Sequence, residues 1–299
     1  MPRAQFSRIF MKNALSIDVE EYFQVVAFSS VIAQEDWDKM PSRVEKPTLL
    51  ILEMLAERGI KATFFCLGWV AKKHPSLIRQ IATKGHEIAS HGVSHRPIYA
   101  LSPQEFRKEA VESKKILEDL SGKEVKGFRA STYSITPKTT WALEMLAEAG
   151  YAYDSSIFPI HHDLYGFPQA PRYPFVFREY GLIEFPISTA NLGKINIPVA
   201  GGGYFRLFPY TLTRYFLNKV NQKENRPFVF YAHPWEFDPA QPRIKAPLKS
   251  RFRHYLNLSK TRKRFEKLLT DFSFASLEEV LESLKPLPEK SLRELTGGD

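Results

Sequence analysis

An α/β fold built on a mainly parallel sheet is what this sequence predicts, and three observations carry the prediction. Short β-rich runs alternate with helical patterns from Ala14 to about Leu284, the order that yields parallel sheets. Asp18, Glu20, His91, Arg129, Asp154 and His233 each fall at the C-terminal end of a predicted strand. Parallel α/β barrels assemble their sites at that face. Finally, 299 residues with a 43% apolar fraction suffice for one large domain, since α/β barrels of about 250 residues are common.

The elements follow in order. Ala14 to Val19 reads as a strand ending in acids, and Pro47 to Arg58 as a helix closed by Gly59. Ala62 to Leu67 is a strand, His74 to Lys84 a helix stopped by Gly85, and Glu87 to His91 a third strand. Ser102-Pro103-Gln104-Glu105 combines an N-cap, a proline at N1 and a glutamate at N3, which opens a helix to about Leu120. Gly127 to Ser131 is a strand, Thr136-Pro137 opens a helix to Ala149, and Tyr151 to Ser155 is a strand. Beyond a proline-rich stretch (159–174) come a strand from Gly181 to Ser188, a helix from Tyr210 to Val220 and a strand from Pro227 to His233. A basic helix (259–270), a strand (272–275) and a helix from Ser276 to Leu284 end the fold. Domain organisation is then an extension (1–13), one domain (14–285) and a frayed polar tail (286–299).

Composition narrows the function classes. Nothing near 18 consecutive apolar residues occurs, so no transmembrane helix is expected. The first 13 residues lack the apolar run and cleavage site of a secretory signal. The lone Cys66 lies in an apolar run, which excludes an internal disulfide and suits a reducing cytoplasm. Net charge is +9, and Arg243 to Lys267 holds ten Lys/Arg against Glu266 alone. The rest of the chain balances at 32 of each sign. Such a patch is either a solvated face or an anion-docking segment, an anionic membrane or the diphosphate of a lipid-linked glycan being its expected partner. No nucleic-acid motif accompanies it.

His91-Gly92-Val93-Ser94-His95 carries the chemistry. Two imidazoles four residues apart can face one way, and a carboxylate completes an open three-ligand metal site that activates water. Glu20 shares a strand face with Asp18, whereas Glu21 alternates away. Gly201 to Gly203 lacks the Lys-Ser/Thr of a P-loop and reads as a wide turn. Tyr22, Phe23, Trp69, Tyr133, Tyr204, Phe205 and Trp235 are the candidate stacking aromatics.

Taken in order, Ser16-Ile17-Asp18-Val19-Glu20-Glu21, His91 with His95, Gly127-Phe128-Arg129-Ala130-Ser131-Thr132-Tyr133, Tyr153-Asp154-Ser155-Ser156 and Tyr231-Ala232-His233-Pro234-Trp235-Glu236 resemble the five motifs of the polysaccharide deacetylases. With Gly201 to Arg206 the chain is similar to the bacterial branch associated with exopolysaccharide biosynthesis, whose branch-specific elements would occupy 159–285. The resemblance implies a distorted (β/α) barrel of about seven parallel strands and a metal-dependent N-deacetylase of N-acetylhexosamine glycans. It implies Asp18 as general base, His233 as general acid, Arg129 holding Asp18, and Asp154 orienting His233. Glu20, His91 and His95 would hold the metal, zinc first, with nickel or cobalt also compatible. Val19 stands where the family has its metal carboxylate, so Glu20 must take that role, with Glu21 the alternative. A backbone N–H at Thr132, or at Tyr133 one step on, would face the oxyanion, and Trp235 the substrate. The Gly201–Gly203 turn would let a sugar approach backbone, and the candidate aromatics would stack on sugar faces. Two rivals stay open: a metal-independent cyclic-amide hydrolase, allantoinase-like, on the same scaffold, and a non-catalytic glycan- or membrane-binding protein. The expected location is cytoplasmic, peripheral to the inner membrane face.

Overall fold

The computed structural model describes residues 11–162 and 164–297. Most of the expected extension (1–10) and the last two residues of the tail lie outside the described residues. Twelve strands are present among the described residues: β1 Lys12–Val19, β2 Thr63–Cys66, β3 Glu87–Ser90, β4 Gly127–Phe128, β5 Tyr153–Asp154 and β6 Phe175–Phe177. They continue as β7 Ile183–Glu184, β8 Thr189–Leu192, β9 Ile195–Pro198, β10 Val229–Ala232, β11 Ser273–Ala275 and β12 Glu289–Lys290. Seven lie side by side and parallel in the order β10, β1, β2, β3, β4, β5, β7. Antiparallel β6 and then β12 extend that sheet, β11 pairs with the start of β1, and β8 with β9 forms a separate hairpin.

Both faces of this sheet are buried, because successive residues of a strand point to opposite sides. Leu15, Ile17, Phe64, Ile88 and Phe230 join the larger apolar cluster under the surrounding helices. Their neighbours Ala14, Phe65, Ala89, Val229 and Tyr231 belong to a second cluster on the inner face. That inner cluster takes in Leu277, Val280 and Leu281 of helix Leu277–Leu284. The Leu277 N–H donates to Thr63 Oγ1 at the first residue of β2 (2.7 Å), so this helix closes the N-terminal end. The C-terminal end is left for chemistry.

The curled sheet is crossed at its seam by single hydrogen bonds between β10 and the chain after β7. The Val229 N–H donates to Ser188 Oγ (2.8 Å), and the Tyr231 N–H to the Ala200 carbonyl (3.0 Å). Gly201 and Gly202 are packed against this seam. A Cβ on Gly201 would meet the Tyr231 carbonyl oxygen at 2.1 Å, and one on Gly202 the Tyr231 ring at 2.7 Å. The expected sugar-approach turn is therefore a close backbone contact, and Gly203 alone of the three reaches the neighbouring cleft.

Helix starts follow their signals. Ser102 and Glu105 form the anticipated capping box on helix Pro103–Ser121, and left-handed Gly122 ends it. The helix expected from Thr136 begins only at Trp141, because Thr139 Oγ1 takes the Thr136 N–H (2.8 Å) and donates to the Ser134 carbonyl (2.7 Å). Four α-helices among the described residues go beyond the expected elements: Gly68–Lys73, Gly202–Leu207, Leu248–Tyr255 and Leu292–Thr296. No helix among the described residues is long and apolar enough to cross a membrane.

The tail is a correction. Residues 286–297 are docked: β12 pairs with β6, and helix Leu292–Thr296 buries Leu295 at 5% exposure. Polar composition concealed this, because the strand is held by backbone bonds from Val176 to Pro288 (2.9 Å) and Arg178 to Lys290 (3.0 Å). Leu295→Ser should destabilise the protein by about 2–4 kcal/mol. Denaturant unfolding checks it, and a change under about 0.5 kcal/mol would mean the tail contributes no packing.

Candidate active site

β1 delivers its acids by simple alternation. Ser16, Asp18 and Glu20 share the inner side while Ile17 and Val19 enter the helix-facing core. Glu20 Oε2 lies 2.5 Å from His95 Nε2 and 3.9 Å from His91 Nε2. One ligand atom from each of these three buried residues lies within 4.8 Å of the others. His91 Nδ1 donates to the Arg129 carbonyl (2.7 Å), which leaves the Nε2 lone pair free to bind a metal. Burial holds His91 down, at about 4, against the pull of Asp18 and Glu20, so the ring is neutral. His95 takes a left-handed backbone (φ 55°), and its buried Nδ1 has no hydrogen-bond partner. Burial raises the Glu20 pKa, but His95, His233 and His91 outweigh that and lower it. This donor set fits a divalent ion.

Glu21 is excluded from the cluster by a different duty. Its carboxylate accepts from the Arg43 N–H (3.0 Å), the Val44 N–H (3.3 Å) and the Ser42 hydroxyl, at the entry to helix Glu45–Ala56. The histidine turn is held by Glu109, which accepts from the Val93 and Ser94 N–H groups (3.1 Å each).

Asp18 is bound to Arg129 as expected, Nη1 to Oδ1 at 2.7 Å. The guanidinium is fully buried and also donates to Ser16 Oγ (2.7 Å), Ser155 Oγ (2.9 Å) and the Ser155 carbonyl (2.9 Å). His233 faces the same space, with Nε2 3.8 Å from both Asp18 Oδ2 and Glu20 Oε1. Its side chain is 16% exposed against 2–3% for those two acids, so solvent reaches the site past this ring. Burial opposes its charge, yet Glu20, Glu236 and Asp18 together raise its pKa to about 9.

Two expected contacts are not made. Asp154 does not orient His233: it accepts from the Ser156 hydroxyl (2.6 Å) and N–H (3.2 Å) and pairs with Glu184 on the next strand. The partner at His233 Nδ1 is Glu236 (3.2 Å), whose same oxygen accepts the His233 N–H (3.0 Å). Arg206 holds the other Glu236 oxygen (2.6 Å) and is anchored on the His254 and Leu256 carbonyls. The stretch His233-Pro234-Trp235-Glu236 contained the signal, since a glutamate at N3 reaches back to the N-cap residue, here His233, in a capping box. Trp235 is likewise turned into the protein, 7% exposed. Its indole N–H donates to Glu20 Oε1 (2.9 Å), and its ring is buried between His233 and His254.

At the third motif, Thr132 and Tyr133 both adopt left-handed backbone, φ 58° and 52°. The Tyr133 N–H is taken by the Ala130 carbonyl (3.1 Å), whereas the Thr132 N–H has no acceptor among the described residues. Of the expected aromatics, Tyr22, Phe23, Phe205, Tyr133 and Trp235 are buried, while Tyr204 lines an open cleft of about 420 Å³ with Thr132 and Tyr231.

Residues 36–153 match the polysaccharide deacetylase family, and 155–282 match a domain of unknown function, DUF3473. The first match holds His91, His95 and Arg129, Asp18 and Glu20 precede it, and His233 falls in the second. A peptidoglycan-N-acetylglucosamine deacetylase of Bacillus cereus is 38% identical over 72 residues, 24% of this chain and 26% of that protein. A chitooligosaccharide deacetylase of Sinorhizobium fredii is 33% identical over 81 residues, 27% of this chain and 37% of that one. The chain thus spans about a quarter to a third of these relatives. The solved structure of a candidate polysaccharide deacetylase from Mycobacterium smegmatis shares the fold (TM-score 0.62, 19% identity, 97% of each chain).

Trp235→Phe keeps the stacked ring and deletes the hydrogen bond to Glu20. It should weaken divalent-ion affinity about 10–100-fold in a chelator competition, the usual effect of losing a ligand's hydrogen-bond partner. Glu21→Gln should leave that affinity unchanged.

Proposed function

We propose that the chain is a metal-dependent hydrolase that removes N-acetyl groups from an N-acetylhexosamine-containing glycan, releasing acetate and a free amine. The observation that carries this reading is a juxtaposition: His233 Nε2 stands 3.8 Å from Asp18 and 3.8 Å from Glu20 of the His91–His95 cluster. The deacetylase-family match and the names of the relatives support the substrate class.

Glu20, His91 and His95 would hold a divalent ion, with zinc favoured by two imidazoles and one carboxylate and nickel or cobalt compatible. When bound, such an ion supplies Lewis-acid polarisation of the amide carbonyl and a lower pKa for the attacking water. Asp18, fixed by Arg129 at 2.7 Å, takes the proton of that water. His233, tied through Nδ1 to Glu236, presents Nε2–H to the departing amine nitrogen. The Thr132 N–H, free of other acceptors among the described residues, is the donor assigned to the developing carbonyl charge. The buried two-histidine, one-carboxylate cluster favours this reading over a metal-independent cyclic-amide hydrolase.

Acetate release from a panel of N-acetylated oligosaccharides, with and without added metal, tests the proposal. His95→Ala should lose metal and activity together while staying folded, and full activity after exhaustive chelation would sink the metal assignment. Asp18→Asn should retain metal and lose about 10²–10⁴ in kcat. Glu236→Gln should lower kcat more than Asp154→Asn does, and the reverse order would return the orienting role to Asp154.

A further inference from the structure

The helix Leu248–Tyr255 takes no part in the chemistry above, yet it exposes apolar surface. Leu248 and Phe252 stand one turn apart on one face and are 79% and 61% exposed. At about 100° per residue, Lys249 and Arg251 fall about 80° to either side of that stripe, with Arg253 beyond Lys249. Lys245, Lys249, Arg251 and Arg253 have no carboxylate partner among the described residues. The second half of the basic segment differs. Arg264 is spent on the Phe205 and Arg206 carbonyls (2.9 and 2.8 Å), and Arg262 pairs with Glu266 (3.0 Å). Lys260, Lys263 and Lys267 are also without a carboxylate partner among the described residues, but within this segment only the short helix sets free cations beside exposed large apolar side chains. Since the chain outside Arg243–Lys267 is electrically balanced, the molecule's field attracts anions chiefly at this face.

The helix also borders the open cleft. Lys249, Phe252 and Arg253 line it together with Thr132 and Tyr231, and its wall includes Leu207, itself 47% exposed. The Tyr231 ring lies 5.7 Å from that of His233, so one residue of the cleft wall packs against the site.

We propose that helix Leu248–Tyr255 docks this protein on an anionic phospholipid bilayer. Leu248 and Phe252 enter the interface, the flanking Lys and Arg side chains reach the headgroups, and the cleft opens at the membrane surface. A soluble polyanion would satisfy the charges and leave both apolar side chains in water, which is why a bilayer is the better match. The inference does not depend on the deacetylase reading.

Flotation of the full chain with vesicles tests it. Wild type should float with vesicles of equal parts phosphatidylglycerol and phosphatidylcholine at low salt, and not with phosphatidylcholine alone. Lys249→Glu with Arg251→Glu should cut partitioning at least about twentyfold, since each basic residue near such a surface contributes about fivefold. Leu248→Ser with Phe252→Ser, which leaves the charge unchanged, should cut it about tenfold yet leave retention on heparin unaltered. Thermal unfolding confirms that each variant is folded. Wild type that stays unbound at low salt, or a serine variant that floats like wild type, overturns the proposal. Acetate release by Leu248→Ser on a short soluble oligosaccharide reports on the hydrolase reading separately.

Discussion

The Arg129 guanidinium is a full charge with no exposure to water, placed inside the curled sheet over the Phe65 ring at 4.1 Å. A buried cation persists only where paired and hydrogen-bonded. Asp18 supplies the counter-charge, while Ser16 and Ser155 satisfy the remaining donors, so β1, β4 and β5 are joined through one side chain. The same residue acts again through its backbone: its carbonyl accepts from His91 Nδ1 and so fixes which nitrogen of that ring faces Glu20. The proposed base and one proposed ligand therefore depend on a single residue at the end of β4. Replacing its side chain would leave Asp18 uncompensated, while the backbone carbonyl would still hold His91.

What the sequence revealed of the site follows from how local each constraint is. Glu20 rather than Glu21 was readable because strand alternation is a two-residue rule, and Ser16, Asp18 and Glu20 obey it. The histidine pair was readable from spacing. The backbone twist at Thr132 and Tyr133 was not, because two adjacent non-glycine residues with positive φ have no composition signal. The barrel was legible as βα alternation, but its seam between β7 and β10 was not. Those bonds join Ser188 and Ala200 to residues about thirty to forty positions away, a distance that no periodicity reports.

Charge followed the same division. The count of ten cations in one segment was plain, but not which of them are free. Arg264 donates to two carbonyls in the last turn of helix Gly202–Leu207, where a helix leaves carbonyls without partners. Counting treats that guanidinium as surface charge, whereas the fold uses it as a cap. In the tail, the sequence showed polarity and hid a strand that needs only its backbone.

The separation of Asp154 from His233 has a physical origin in the last rungs of the sheet. Asp154 and Glu184 are register partners on parallel β5 and β7, both fully buried. Two carboxylates at that spacing cannot both ionise. Burial raises both pKa values, that of Glu184 well above its ordinary value with Asp154 adding to the shift, so the proton resides on Glu184. Asp154 is then engaged by that shared proton and by the Ser156 hydroxyl and N–H. The imidazole must find its acid elsewhere, and the turn that follows it supplies Glu236 three residues on. An acid on the same turn is positioned by local backbone geometry rather than by the meeting of distant strands. It carries its own countercharge in Arg206, which, with burial opposing, draws Glu236 down to about 2 and keeps it a carboxylate facing His233.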